Sequence, residues 1–120
     1  MSILELNEQL YAKKPKIGSA DFCICDHCRF YADNIVKNKG LIAFLQSFGI
    51  DALKADEVSC YMEDAKYKYY SVDLNYIFSN KEGTFPLSNA TVTISRHSHL
   101  IAPNNPSYWM DMQVRIEIRS

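Results

Sequence analysis

Apolar and polar side chains alternate without a break near the end of the chain, in Met110-Asp111-Met112-Gln113-Val114-Arg115-Ile116-Glu117-Ile118-Arg119. A period of two is that of a β-strand with one face turned to a hydrophobic core and one to water. A slip of one residue would expose every apolar side chain of the segment, so the pattern also specifies the register. This stretch therefore predicts a well-registered strand with one wet face.

The same alternation recurs in two earlier segments. Inward-facing positions are predicted at Tyr70, Val72, Leu74, Tyr76 and Phe78 in the first, and at Ala90, Val92 and Ile94 in the second. A shorter strand is predicted from Val58 to Met62, and turn residues at 79–83 and 103–106 separate the later strands. The second half of the chain thus predicts an antiparallel β-meander.

The first half has helical spacing instead. Ser2 and Glu5 form the S-x-x-E pattern of a capping box, and Asp26 is a candidate N-cap for a second helix that runs to Gly40. A third helix is predicted because Leu41, Phe44, Leu45 and Phe48 fall at i, i+3, i+4 and i+7. The fold class that follows is α+β, with N-terminal short helices packed on one face of a C-terminal antiparallel β-meander sheet.

Length and composition restrict the function further. We expect a single domain, residues 1–120, since 120 residues bury one core and not two. The formal charge is −1 and the bases form no stripe, which argues against nucleic-acid partners. No apolar run is long enough to span a membrane and no secretory signal is recognisable, so we expect a cytoplasmic protein without a membrane partner.

Oligomeric state stays open at this stage. The last strand, if it lies at a sheet edge, would offer unpaired backbone groups to a second copy of the chain. Arg115, Glu117 and Arg119 are the kind of charged residues that discourage such pairing.

The densest chemistry lies in Cys23-Ile24-Cys25-Asp26-His27-Cys28. In an extended segment Cys23 and Cys25 project to one side, and Cys28 would lie in the first turn of the following helix. Three sulfurs can then converge, and a structural zinc site needs one ligand more, for which His27 and Cys60 are the candidates. The alternative is that these residues are reduced thiols that pack as small hydrophobic side chains.

A dithiol redox motif is a further interpretation of the same residues. Cys25 and Cys28 have the C-x-x-C spacing at a helix N-terminus, where the helix dipole favours a thiolate. The negative charge of Asp26 between the two sulfurs and the lack of a βαβ unit argue against this interpretation.

Two groups of residues are candidates for a binding surface. Tyr67 and Tyr69 fall on the strand face opposite Tyr70, so they can form an outward aromatic patch. His97 and His99 form an H-x-H pair at the end of a predicted strand, projecting from its polar face. Such a pair can bind a metal together with further ligands, but it is more often solvated.

Patterns for common enzymes are absent: the chain has no G-x-G-x-x-G, H-E-x-x-H or G-x-S-x-G. Over about residues 23 to 75 the chain resembles small uncharacterised bacterial proteins. The resemblance rests on Cys25-Asp26-x-Cys28-Arg29-Phe30-Tyr31, Phe44-Leu45-x-x-Phe48-Gly49-Ile50-Asp51 and Lys54-Ala55-Asp56-Glu57. It implies bacterial origin, a cytoplasmic setting and a place among toxin-immunity proteins.

Two functional hypotheses result. The first is a non-enzymatic bacterial binding protein, an immunity-type inhibitor that acts on a protein partner through an exposed surface. The alternative is a small zinc-binding or dithiol protein centred on the C-x-C-x-x-C run.

Overall fold

The order of the elements is helices first and strands second, and the protein is therefore α+β, as predicted. The computed structural model describes residues 2–18, 23–96 and 108–118, without the side chains of residues 75 and 76. Its α-helices are α1 (Ile3–Ala12), α2 (Asp26–Asn34) and α3 (Lys39–Gln46), with 3-10 turns at Ile35–Lys37 and Ala52–Lys54. Its strands are β1 (Glu57–Glu63), β2 (Tyr67–Ile77), β3 (Gly83–Leu87), β4 (Ala90–Arg96) and β5 (Tyr108–Glu117).

The five described strands form one antiparallel sheet in the order β1-β2-β5-β4-β3. The predicted meander is wrong, because β5 lies between β2 and β4 and separates β2 from β3. Val72 of β2 and Val92 of β4 both pair with Met112 of β5. The strand with the cleanest alternation thus has partners on both sides. A second copy cannot pair with an edge of β5, since the edge strands of the described sheet are β1 and β3.

β3 itself was not predicted. Its Pro86 cannot donate a ladder hydrogen bond, which suits a strand with only one neighbour.

The inward face of the sheet agrees with the alternation in β4 and β5 and in most of β2. The buried strand residues are Tyr70, Val72, Leu74, Ile77, Ala90, Val92, Ile94, Met110, Met112, Val114 and Ile116. They share one hydrophobic cluster with helix residues such as Tyr31, whose ring lies 5.6 Å from that of Tyr70. The register shifts between Leu74 and Ile77. Ile77 rather than Phe78 is therefore the buried residue at the end of β2, and Tyr76 lies outside the described side chains.

Helix α1 begins with the predicted capping box, in which the Ser2 hydroxyl accepts the Glu5 N–H at 3.2 Å. Its fully buried Asn7 was not anticipated. The Asn7 amide donates to the carbonyl oxygens of Phe48 and Phe78, at 2.8 and 2.9 Å, and accepts the Phe78 N–H at 2.8 Å. A buried polar side chain with satisfied hydrogen bonds is stable in a core. Asn7 thus ties α1 to the turn that follows α3 and to the residue after β2.

The predicted limits of α2 need correction. Cys25, not Asp26, is the N-cap residue, and the helix ends at Asn34 rather than near Gly40. Asn38 starts a new helix because its side-chain oxygen accepts the Leu41 N–H at 3.1 Å. Gly40 therefore lies in the first turn of α3 instead of ending α2.

Candidate functional site

Three cysteine sulfurs converge before and within the first turn of α2. The Sγ atoms of Cys23, Cys25 and Cys28 all lie within 4.8 Å of one another, and Cys23 and Cys25 are 3.1 Å apart. The convergence that the spacing predicted is thereby confirmed. All four cysteines of the chain are free thiols.

The backbone explains how the three sulfurs meet. Cys25 has extended dihedral angles, φ −66° and ψ 161°, and this leaves it just outside the helix as the N-cap residue. Its sulfur accepts the backbone N–H of Cys28 at 3.5 Å, in the way that an oxygen does in an ordinary cap. Cys25 is exposed, Cys23 is half-buried and Cys28 is buried in the core. The cluster therefore reaches from solvent into the protein.

The thiols of Cys25 and Cys28 differ in their readiness to ionise. A hydrogen bond from Cys23 and a second one from the Cys28 N–H stabilise the thiolate and lower the pKa of Cys25 to about 7. Burial, followed by the two neighbouring thiols, raises the pKa of Cys28 far above its ordinary value. At neutral pH the exposed sulfur is partly ionised, while the buried one holds its proton unless a cation compensates the charge.

His27 and Cys60, the two candidates for a fourth ligand, lie outside the three-sulfur group. The His27 side chain is exposed, and its carbonyl oxygen accepts the Tyr70 hydroxyl at 2.8 Å. Cys60 is half-buried on β1, directly opposite Tyr70, and its thiol contacts the Met62 carbonyl oxygen at 3.5 Å. Paired residues of neighbouring strands project to the same face. Cys60 therefore lies on the Tyr70 side of the sheet.

Tyr70 connects Cys60 with the cluster. Burial is the main reason that the pKa of Tyr70 is raised, and the nearby thiols of Cys60, Cys28 and Cys25 add to the shift. Tyr70 thus pairs with Cys60 across β1 and β2, and its hydroxyl donates to the His27 carbonyl oxygen between Cys25 and Cys28.

The predicted aromatic patch is present on the other face of the sheet. The rings of Tyr67 and Tyr69 are 6.1 Å apart, and Tyr61 of β1 extends the patch, with its ring 6.4 Å from that of Tyr69. The Arg115 guanidinium lies 4.8 Å from the Tyr67 ring centre. Tyr61 is 57% exposed, which makes it the most accessible ring of the three. His97 and His99 lie outside the described residues.

One pair of carboxylates was not predicted from the sequence. Asp73 of β2 and Asp111 of β5 are direct partners in the register, on the face that carries the tyrosines. A hydrogen bond with Asp73, together with burial and the Asp73 charge, raises the pKa of Asp111 to about 6. Only the pairing of β2 with β5 brings these residues together, and a predicted meander does not contain that pairing.

Comparison with known proteins adds no family. No protein-family model matches the chain, and no curated protein or solved structure matches it either. Within the described part of the chain, none of the helices has the length and apolar character needed to cross a membrane.

Proposed function

We propose that this protein binds one thiophilic metal ion, zinc in the first place, through Cys23, Cys25 and Cys28. The observation that supports the proposal is the grouping of the three Sγ atoms within 4.8 Å. Thiolates are soft ligands that favour Zn²⁺ and Cu⁺ over Mg²⁺ and Ca²⁺. The chemistry of the three sulfurs therefore supports a site for a soft metal ion.

The distances suit a tetrahedral ion. Zinc–sulfur bonds of about 2.3 Å place the sulfurs of a tetrahedron about 3.8 Å apart. The Cys23–Cys25 separation of 3.1 Å is shorter than that, and the group as a whole extends to at most 4.8 Å. Shifts of under about 1 Å bring the sulfurs to coordination geometry. A bound zinc ion would also compensate the negative charge of the Cys28 thiolate, which burial otherwise disfavours.

The fourth ligand position distinguishes two kinds of site. A fourth protein ligand gives a closed structural site, whereas a bound water gives a site at which the metal meets substrates. Cys60 lies on the Tyr70 side of the sheet, and His27 follows the N-cap directly. Each can reach the ion only after its side chain moves, since neither belongs to the three-sulfur group.

Competition titration against a chromophoric chelator tests the proposal on reduced protein. We expect Cys25→Ser and Cys28→Ser to weaken zinc binding by at least about 100-fold. Cys60→Ser and His27→Ala identify the fourth ligand by the loss that each produces. Ser59→Ala is the matched control, since Ser59 is an exposed neighbour of Cys60 on β1. Unchanged affinity in both of the first two variants would contradict the proposal.

A second candidate function is protein binding through the face that carries Tyr61, Tyr67 and Tyr69. The exposed Tyr61 ring supports it, because exposed aromatic side chains are enriched where partners dock. In this hypothesis the protein is a cytoplasmic, bacterial, non-enzymatic inhibitor of the immunity type, as the resemblance implies. The metal site would then hold the fold together.

Affinity capture with paired variants tests this second function. A partner retained by the wild-type protein should be lost from Tyr61→Ser, whose stability is expected to change by less than about 0.5 kcal/mol because the side chain is exposed. Val36→Ser serves as the control, because Val36 is a 50% exposed apolar residue in the 3-10 turn after α2 and does not lie on the tyrosine face of the sheet. A partner that both variants retain equally, or no specific partner at all, would count against the tyrosine surface.

A further inference from the structure

We propose that Cys23 and Cys25 are a site of reversible oxidation by small disulfides, with Cys28 left as a free thiol. The part that concerns metal release rests on the proposed zinc binding, and the disulfide itself does not. The substrate class is a low-molecular-weight disulfide such as oxidised glutathione.

The choice of the pair follows from distance and exposure. The sulfurs of Cys23 and Cys25 are 3.1 Å apart, so about 1 Å of approach brings them to the length of a disulfide bond. Cys25 is exposed and Cys23 is half-buried, so an incoming disulfide meets the Cys25 sulfur first. Cys28 is 4% exposed and lies on the first turn of α2, packed in the core.

The chemistry balances as two exchange steps. The Cys25 thiolate attacks one sulfur of the small disulfide, breaks its S–S bond, forms a mixed disulfide and releases one thiol. The Cys23 thiolate then attacks the Cys25 sulfur and displaces the second small thiol. Two protein thiols are oxidised to one disulfide, and the two electrons reduce the small disulfide to two thiols.

Oxidation of this pair removes two of the three proposed zinc ligands. A single remaining thiolate does not hold the ion against competing ligands. The site would therefore release its metal under oxidising conditions and bind it again after reduction.

Differential alkylation of the full-length protein after removal of metal by a chelator tests the assignment. Oxidised glutathione is added, free thiols are blocked with N-ethylmaleimide in denaturant, and disulfides are then reduced and labelled with iodoacetamide. Trypsin leaves Cys23, Cys25 and Cys28 in one peptide, residues 17–29, while Cys60 lies in a different peptide. Fragmentation of the peptides assigns one label to each cysteine.

We expect iodoacetamide on Cys23 and Cys25 and N-ethylmaleimide on Cys28 and Cys60. Cys23→Ser should reduce the intramolecular disulfide at least tenfold and accumulate a glutathione adduct on Cys25. The control Cys60→Ser should oxidise like the wild-type protein. Iodoacetamide on Cys28, or no disulfide in the wild-type protein, would overturn the assignment.

The zinc-loaded protein gives the second measurement. One zinc should appear in a colorimetric assay for each disulfide formed, and reduction should reverse the release. A protein that takes up no zinc on loading, yet still forms the disulfide, would refute the metal proposal and leave the oxidation site standing. Disulfide formation with zinc retained would overturn the release step.

Discussion

The hydroxyl of Tyr70, at the centre of β2, donates a 2.8 Å hydrogen bond to the carbonyl oxygen of His27, in the first turn of α2. This bond joins the sheet to the backbone between Cys25 and Cys28. A residue of the strand half of the chain therefore supports the backbone of the cysteine cluster. Loss of a group that holds a metal ligand in position typically lowers metal affinity by about 10- to 100-fold.

Removal of that hydroxyl should therefore weaken the proposed metal site. We expect Tyr70→Phe to cost about 1 kcal/mol of stability and to lower zinc affinity about tenfold. Tyr31→Phe is the matched control, since the Tyr31 hydroxyl donates at 2.9 Å to the Ala52 carbonyl oxygen and not to the backbone between the cysteines. Urea denaturation and chelator competition give the two quantities. Equal zinc affinity in both variants would show that Tyr70 does not support the site.

Gly49 should not tolerate a side chain. Its φ is +77°, and an added Cβ would collide with the backbone carbonyl oxygen of Leu4 in α1. We expect Gly49→Ala to lower the free energy of unfolding by at least about 2 kcal/mol. At Gly40, in the first turn of α3, a Cβ would meet only the Asn38 side-chain oxygen at an ordinary contact distance of 3.9 Å, so Gly40→Ala should stabilise by about 0.5 kcal/mol. Urea denaturation measures both, and similar values for the two variants would contradict the close contact of α1 with Gly49.

The carboxylate pair on the outer face should make stability depend on pH. The folded pKa of Asp111, about 6, exceeds the unfolded value of about 3.9, so the folded state binds the proton more tightly. The stabilisation that the protonated Asp111 carboxyl gives to the folded state is fully present below about pH 4, and it is lost as the pH rises through about 6. Asp111→Asn should therefore be more stable than the wild-type protein at pH 7.5, by about 1 kcal/mol, and equal to it near pH 3.5.

Asp64 provides a contrast of opposite sign. Hydrogen bonds from the N–H groups of Tyr67 and Lys66, and from the Tyr69 hydroxyl, lower the pKa of Asp64. Its contribution to stability is present above the unfolded pKa and is lost as the pH falls through the folded one. Asp64→Asn should therefore lose stability at pH 7.5 and approach the wild-type value in acid. Thermal unfolding of Asp111→Asn and Asp64→Asn across pH 3.5–8 gives the difference in stability between each variant and the wild-type protein. The account would be contradicted if both differences changed with pH in the same direction.

In the metal-free protein, one cysteine should react with an alkylating agent faster than the other three. Because the pKa of Cys25 is lowered to about 7 and Cys25 is exposed, iodoacetamide should label it first, with a rate that rises through a midpoint near pH 7. Cys28 should react only after denaturation, since it is buried. Peptide mass analysis at short times assigns the labelled residue. Faster labelling of Cys60, or a midpoint near the ordinary thiol pKa of about 8.5, would contradict the geometry of the cap.

Local features of the fold were predictable from the sequence. The capping box at Ser2 and Glu5, the alternation of β5 and the convergence of Cys23, Cys25 and Cys28 each depend on residues within about ten positions of one another. Chemical type and spacing determine such features directly. The order of the strands does not follow from them, because the alternation in β2, β4 and β5 is compatible with several neighbours.

Most of the remaining errors also come from contacts between residues that are distant in the sequence. The shift between Leu74 and Ile77 depends on how β2 meets β5, and the Asp73–Asp111 pair exists only in that register. The role of Asn7 depends on carbonyl groups 41 and 71 positions away. At the start of α2 the choice of N-cap was wrong because a thiol was not considered as the capping group, although Cys25 accepts the Cys28 N–H. Long-range pairing and unusual capping are therefore what the sequence pattern misses.

Metal content tests the central claim most directly. The full-length protein is reduced, loaded with zinc, freed of unbound metal by gel filtration and examined by elemental analysis. We predict about one zinc per chain in the wild-type protein and in Ser59→Ala, and none in the Cys25→Ser, Cys28→Ser double variant. No retained zinc in the wild-type protein, or equal zinc in the double variant, would contradict a metal site at Cys23, Cys25 and Cys28.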